Sequence, residues 1–444
     1  MRTRTRDTSE YGYHFMSGLL RLDSERNLAN ISRATGVNAQ ALQHFMSESP
    51  WSGEAVIERV QVEVAARPEL SSGGMLLLDE SGEVKGGTTT VGAARQYLGS
   101  VGKVEMGQVG VFVALAKGTH WSWVDGELYL PEIWFSAEYA EQRTRVELPT
   151  ARGFATKIEL GLQLIERVRA RQLPFEAIGC DAFYGRDGAF RAELAGRQLE
   201  YMADIPANLR VYLSEPVIGL PTNVKGRPAS HERVLSPKAR RVDQLRNDPA
   251  TRWQSVTVRP TERGCLTADF AARRVWTVWQ DASEQFHGRQ EWLVIRRDMD
   301  RTCSYALSNA PADSPLAYLA ARKSQRFFVE AAIRDAKSDL GWDESQTIKF
   351  RAGQHQLTLT ILASWFIAET KLDWSAEYAR DPALLDYYQV EVLPALSVAN
   401  VRHLLRAALP LPQLSTPQAI DLVIHHLDNR VRSRRSRLKN RSGP

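Results

Sequence analysis

The chain has 444 residues, 43 % of them hydrophobic and 25 % charged, which excludes a disordered or fibrous protein and leaves room for about two to four domains or subdomains. Its net charge of +5 is concentrated at one end, because residues 428–444 hold seven basic residues against Asp428, a net of +6 that leaves −1 for the rest and marks the tail as a polyanion-binding arm. Cys180, Cys265 and Cys303 form no CxxC pair and so give neither a disulfide framework nor a thiolate metal site, and the longest apolar run, at 109–116, is far shorter than the ~20 residues that span a bilayer.

Residues 1–70 read as helices and form the first expected region. Within LANISRATGVNAQALQHFMSES, Leu28 and Ile31 make an apolar edge, Gly36 suits a turn with positive φ, and Asn38 is placed to cap a second helix. This helix-turn-helix pattern would aim Gln40, Gln43 and His44 outward toward base edges; a plain helical hairpin supporting the next domain is the alternative.

From residue 72 the texture changes to strands. GGMLLLDESG is an apolar run ending in an acid and then a turn, and QVGVFVALAKGTHWSWVDGELYL is two strand-like runs joined around Lys117 and Gly118. TKIELGLQLIERVRAR is an amphipathic helix, FEAIGCDAFYG a strand running into an acid, GAFRAELAGRQ a helix with Asp187 as its cap, and LEYMADIP another strand. Residues 71–205 thus predict the first part of an α/β core with a mixed sheet. Residues 206–317 interrupt it with a proline- and arginine-rich opening and four strand-like segments, expected as a β-rich insertion. Residues 318–375 return to helix as the second part of the core, and 376–444 form a helical region ending in the basic tail, with His425 and His426 on its approach.

Asp79 and Asp181 each sit where an apolar strand gives way, and Glu330 lies on a later helix, RFFVEAAIRDAK. A helical period puts Phe328, Val329, Ala332, Ile333 and Ala336 on one side and Arg326, Glu330, Arg334 and Lys337 on the other. Alone, that charged face is an ordinary solvated one with i,i+4 ion pairs. Three carboxylates brought together from two strands and a helix suit a pair of hard divalent ions, which activate the attacking oxygen and stabilise the leaving oxygen of an in-line phosphoryl displacement. Glu80 competes with Asp79 for this role, Asp187 with Asp181, and Asp335, Asp339 and Asp343 with Glu330. Lys85, Arg95 and Lys103 lie in a glycine-rich stretch suited to approaching a DNA backbone, which is not a nucleotide-binding P-loop.

The order strand-Asp, hairpin, helix, strand-Asp, helix, strand, helix-Glu, with LLLDESGEVKGG, LYLPEIW, DAFYGRD and the spacing of Arg326, Glu330 and Lys337, resembles the bacterial insertion-sequence DDE transposases that carry a β-rich insertion and a Tyr-Arg-Glu-Lys signature. Lys323 stands where that signature has its tyrosine. The resemblance implies a ribonuclease-H-like fold and a cut-and-paste enzyme that binds terminal inverted repeats, cleaves the ends and joins 3′ hydroxyls to target DNA. It also implies two Mg²⁺ ions, with Mn²⁺ able to substitute, held by Asp79, Asp181 and Glu330, and phosphates held by Arg326 and Lys337. The expected partners are double-stranded DNA and a second copy of the chain on that DNA, and the expected setting is the bacterial cytoplasm near the nucleoid, with no membrane. Arg334, Lys85, Arg95, Lys103 and the tail residues Arg432, Arg434 and Arg435 are further DNA-contact candidates. One of Trp253, Trp276, Trp279 and Trp292 is a candidate to stack on an extruded base. The alternatives are a domesticated DNA-binding relative without catalysis and a ribonuclease-H-like nuclease without strand transfer.

Overall fold

A computed structural model of the chain describes residues 1, 3, 6–221, 229, 231–261, 264–344, 347–393, 395–408 and parts of 415–435 (415–417, 420, 421, 423, 424, 427, 428, 431, 432, 434 and 435), with backbone alone at 259–261, 264 and 265. The chain opens with α1 (Ser9–Arg21), α2 (Leu28–Thr35), α3 (Ala39–Ser47) and α4 (Gly53–Ala66). Asn27 caps α2 by accepting from the Asn30 amide, and Gly36 ends it at φ +74°, a conformation that strains any residue with a Cβ. Asn38 caps α3 by accepting from the Gln40 and Ala41 amides, as the sequence indicates. These helices do not stand apart. Phe15, Leu19, Ile31, Leu42, Phe45, Met46 and Trp51 share a buried cluster with Leu359 of the long helix described below.

The sheet begins with β1 (Met75–Val84), β2 (Ala94–Leu98), β3 (Lys103–Lys117) and β4 (His120–Tyr129). The expected turn directly after Asp79 is corrected here. β3 is long enough to pair β1 from Met75 to Val84, so the ladder carries β1 through Glu80, Ser81 and Gly82, and Asp79 sits in mid-strand opposite Phe112. The hairpin at Lys117 and Gly118 forms as expected. After α5 (Ala140–Arg145), a capping box of Thr156 with Glu159 starts α6 (Lys157–Ala170). β5 (Ala177–Cys180), α7 (Ala182–Gly185), α8 (Gly188–Gly196) and β6 (Glu200–Ile205) follow, and Asp187 caps α8 as expected.

β3 pairs antiparallel with β1 on one side and β4 on the other, while β5 and β6 run parallel to β1 on its far side. The order β4-β3-β1-β5-β6 is the ribonuclease-H-like arrangement the sequence led us to expect. Residues 206–317 add the short β7 (Arg210–Val211), β8 (Val217–Gly219), β9 (Arg233–Ser236) and β10 (Arg240–Arg241), then α9 (Val242–Leu245), β11 (Gln254–Thr261), β12 (Gly264–Gln280), β13 (Phe286–Arg297) and β14 (Cys303–Ser308). The last four extend the core sheet, because β14 pairs β6 antiparallel from Tyr305–Ile205 to Ser308–Met202. Among the described residues the result is one ten-stranded sheet.

The chain returns through α10 (Leu316–Gln325) and α11 (Phe327–Ser338), which cover one face of β1, β5 and β6 with Leu319, Phe328 and Val329 against Leu77 and Met202. α12 (Phe350–Tyr378) is largely buried and packs against α3, α4 and β4, and α13 (Pro382–Tyr388) and α14 (Val398–Ala408) follow. No helix among the described residues is long and apolar enough to cross a membrane. His425 and His426, the tail beyond Arg435 and residues 222–228 of the insertion lie outside the described residues.

Candidate active site

Three aspartates form a row across the C-terminal edge of the parallel strands. Leu78 pairs Cys180, and Cys180 pairs Ala203, so the next residues along β1, β5 and β6 are Asp79, Asp181 and Asp204. Neighbouring strands lie ~4.8 Å apart, and residues in parallel register share a face. The open carboxyl end of parallel strands is the place where α/β sheets bind ligands. Asp181 also caps α7, accepting from the Phe183 and Tyr184 amides at 3.0 and 3.3 Å, which fixes its carboxylate at the strand end. Burial pushes the Asp79 carboxyl up to about 7, with the Asp181 charge adding to the rise and Arg326 opposing it. Burial also raises Asp181, against the Tyr184 amide and Arg326. Asp204 was not singled out from the sequence. Its signal was there, since LEYMADIP repeats the pattern of an apolar strand ending in an acid.

Above the row sits Arg326, at the junction of α10 and α11 rather than on an exposed helical strip. Its guanidinium reaches Asp204 at 2.9 Å and Glu330 at 2.6 Å. Burial pushes this group down, but Asp204, Asp79 and Glu330 together hold its pKa above the ordinary arginine value. Lys323, at the signature's tyrosine position, is buried and donates to Asp204 at 2.7 Å. The departure from the signature therefore comes with a carboxylate partner. Glu330 remains 60 % exposed with its carboxylate on Arg326. Lys337 donates to the Gly82 carbonyl of β1 at 3.0 Å, which ties α11 to the strand that carries Asp79. Of the expected basic strip only Arg334 is exposed, 3.5 Å from Asp335. As the side chains stand, no three carboxylate, imidazole or thiolate groups among the described residues come close enough together to hold a metal ion. The structure thus brings Asp79 and Asp181 together and links Glu330 to them through Arg326.

A family model described as DDE superfamily endonuclease matches residues 2–264, more than half of the chain. The chain belongs to this family. The match bears out the resemblance read from the sequence. This DDE endonuclease is also similar to the probable transposase for insertion sequence element IS701 of Microchaete diplosiphon, 24 % identical over 331 residues that cover 72 % of each chain. A cryo-EM structure of the piggyBac transposase synaptic complex with hairpin DNA matches at a TM-score of 0.36 and 12 % identity, over 95 % of this chain and 78 % of that one.

The other candidate contacts of the DDE endonuclease fall in three places. Gln40, Gln43 and His44 are exposed on α3, facing outward as expected. Lys85 lies in the irregular glycine-rich segment just after β1, whereas Arg95 and Lys103 do not. Arg95 lies on β2 and Lys103 opens β3, and the two strands pair from Ala94–Gly107 to Leu98–Lys103. Lys85 is 2.8 Å from Glu83, and Lys103 is 3.1 Å from Glu105. Arg432, Arg434 and Arg435 are exposed, with Arg432 2.6 Å from Asp428. Each tryptophan of the insertion has a neighbour: Arg297 lies over Trp253 and Arg274 over Trp292, Trp279 stacks on His287, and Trp276 bridges through its backbone to Tyr212.

Proposed function

We propose that this DDE endonuclease is the transposase of an insertion sequence, which binds the terminal inverted repeats, cleaves the DNA at the ends and joins the 3′ hydroxyls to target DNA. The observation that carries this reading is the pair Asp79, buried on β1, and Asp181, half-buried just past the end of the neighbouring β5, with both carboxyls pushed up. Two such carboxyls resist ionising together, and hard oxygen donors of this kind fit Mg²⁺ or Mn²⁺. Asp79 and Asp181 would hold the metal, with Glu330 as the third acid. When bound, two ions supply charge to the attacking and leaving oxygens of the displaced phosphate.

The chain's own residues prepare the site. Arg326 neutralises the row in the absence of DNA, and its release from Glu330 would free that carboxylate while turning the guanidinium toward a phosphate. Lys337, held on Gly82, presents a second cation beside β1. Water is the nucleophile of cleavage and the DNA 3′ hydroxyl that of joining. α3 supplies base contacts through Gln40, Gln43 and His44, while Lys85, Arg95, Lys103, Arg334 and the tail arginines supply phosphate contacts. Synapsis of two ends calls for at least a homodimer on DNA.

One observation favours the runner-up, a DNA-binding relative without catalysis: Glu330 is occupied by Arg326, and no three-acid cluster stands preformed among the described residues. The test is incubation of the purified chain with labelled duplex from the inverted repeats flanking its gene, with Mg²⁺ or Mn²⁺. Wild type should nick at the end, and Asp79→Asn and Glu330→Gln should each slow cleavage by at least about 10²-fold while binding persists. A wild type that binds the ends and never cuts them supports the runner-up.

A further inference from the structure

Arg326 has to leave two carboxylates before it can take a DNA phosphate, and the two are not alike. Glu330 is exposed, so water replaces the arginine there at little cost. The Asp204 side chain is only 20 % exposed, and a carboxylate sunk at the sheet edge holds its counter-charge more tightly. Lys323 supplies a second cation to the same group. Its side chain is 3 % exposed, and its Nζ donates to Asp204 Oδ1 at 2.7 Å while Arg326 Nε faces Oδ2 at 2.9 Å. The two cations are three residues apart at the end of α10, a spacing that puts both on one side of the helix. They hold the carboxylate differently. Lys323 makes a hydrogen bond, whereas Arg326 Nε, though close, is buried with no hydrogen-bond partner among the described residues. A buried N–H without an acceptor is costly, so this donor is short of an oxygen. A tyrosine, the signature's residue at this position, would offer Asp204 a hydrogen bond and no charge.

We propose that Lys323 is the standing counter-ion of Asp204 and so leaves Arg326 free to move onto a DNA phosphate. Lys323 is then a positioning residue that never touches the DNA. Without it, Arg326 is the one cation left to Asp204 and stays at the sheet edge. The inference rests on the reading of Arg326 as a phosphate contact of the cutting centre and adds to it what releases the arginine.

The test titrates the full chain with labelled end duplex over a range of salt in the absence of divalent metal, and follows cleavage of the same duplex in Mg²⁺ at saturating protein. Arg326→Gln, which removes the phosphate contact, should lower the slope of log affinity against log salt by about 1. Lys323→Met should lower it by the same amount and slow cleavage about tenfold, although Lys323 is itself buried. Lys323→Gln, neutral and able to hydrogen-bond in the same place, should repeat both losses. In an Asp204→Asn background, where no charge at the sheet edge holds Arg326, Lys323→Met should leave slope and rate as they are in Asp204→Asn alone. A slope lost in both backgrounds means that Lys323 meets the phosphate itself, and a wild-type slope and rate in Lys323→Met and Lys323→Gln means that Arg326 is free without it; either overturns the proposal. Arg326→Gln with a wild-type slope overturns the phosphate reading beneath it. A wild type that binds the ends and cuts nothing overturns the cleavage reading alone, because the slopes are measured without metal.

Discussion

Asp335 lies on α11 just past Glu330 and is pushed up to about 6, first by burial and then by the Asp339 charge, with Arg334 and Lys371 pulling the other way. A carboxyl raised in the folded state binds its proton more tightly there than in the unfolded chain, where 3.8 is usual. Its contribution is therefore complete below pH 4 and is lost as pH rises through 6. Asp335→Asn should leave stability unchanged at pH 4 and raise it by about 1–3 kcal/mol at pH 8, read from urea unfolding at the two pH values. Equal effects at both would mean that the carboxyl ionises normally. At the same scale, Lys323 and Arg326 share Asp204, so Lys323→Met should leave Arg326 as the remaining partner of Asp204 and lower the melting temperature without abolishing folding.

Two elements hold the row of acids in place. α7 is pressed so closely on β6 that a Cβ at Gly185 would meet the Asp204 carbonyl oxygen at 1.9 Å. Gly185→Ala must push α7 off the sheet and carry its cap, Asp181, with it. The expected cost is about 1–3 kcal/mol, with cleavage falling more than DNA binding. The insertion is locked to the core by Glu291 of β13, 1 % exposed, which accepts from Arg191 of α8 at 3.0 Å, from the Tyr201 hydroxyl of β6 at 2.5 Å and from Thr277 of β12. Glu291→Ala leaves Arg191 buried without its counter-charge and should cost about 3–5 kcal/mol by chemical denaturation. A loss below 1 kcal/mol would show that the insertion does not depend on this network.

Across the whole molecule, the N-terminal helices are tied to α11, the helix proposed to carry the third acid. The Arg26 side chain is fully buried, pairs with Glu344 at 2.7 Å and donates to the Ser338 carbonyl at the end of α11 as well as to Leu19, Leu22 and Asp23. Arg402 of α14 joins the same junction through Leu20 and Asp339. The segment between α1 and α2 is thus fixed directly to the end of the helix that bears Glu330. The DNA contact proposed for the basic tail is tested at the same scale. Removing residues 428–444, with their net of +6, should lower the slope of log affinity against log salt by up to about 5, with little change in the melting temperature. An unchanged slope would assign the tail no DNA contact.

Local signals were enough for the caps at Asn38 and Asp187, the hairpin at Lys117 and Gly118, and the two aspartates that follow apolar strand residues, because each depends on residues close in sequence. The spacing of Arg326, Glu330 and Lys337 was legible as well, and with the strand order it pointed to the family. Tertiary structure alone decided the rest. The length of β1 was set by a partner strand, and the insertion joined the core through β14 and β6. Asp204 entered the row through strand register. Lys323 found Asp204 across 119 residues and Arg26 found Glu344 across 318, pairings that no window of sequence contains. The physical reason is that a side chain is buried or exposed, paired or unpaired, only once distant elements have closed around it.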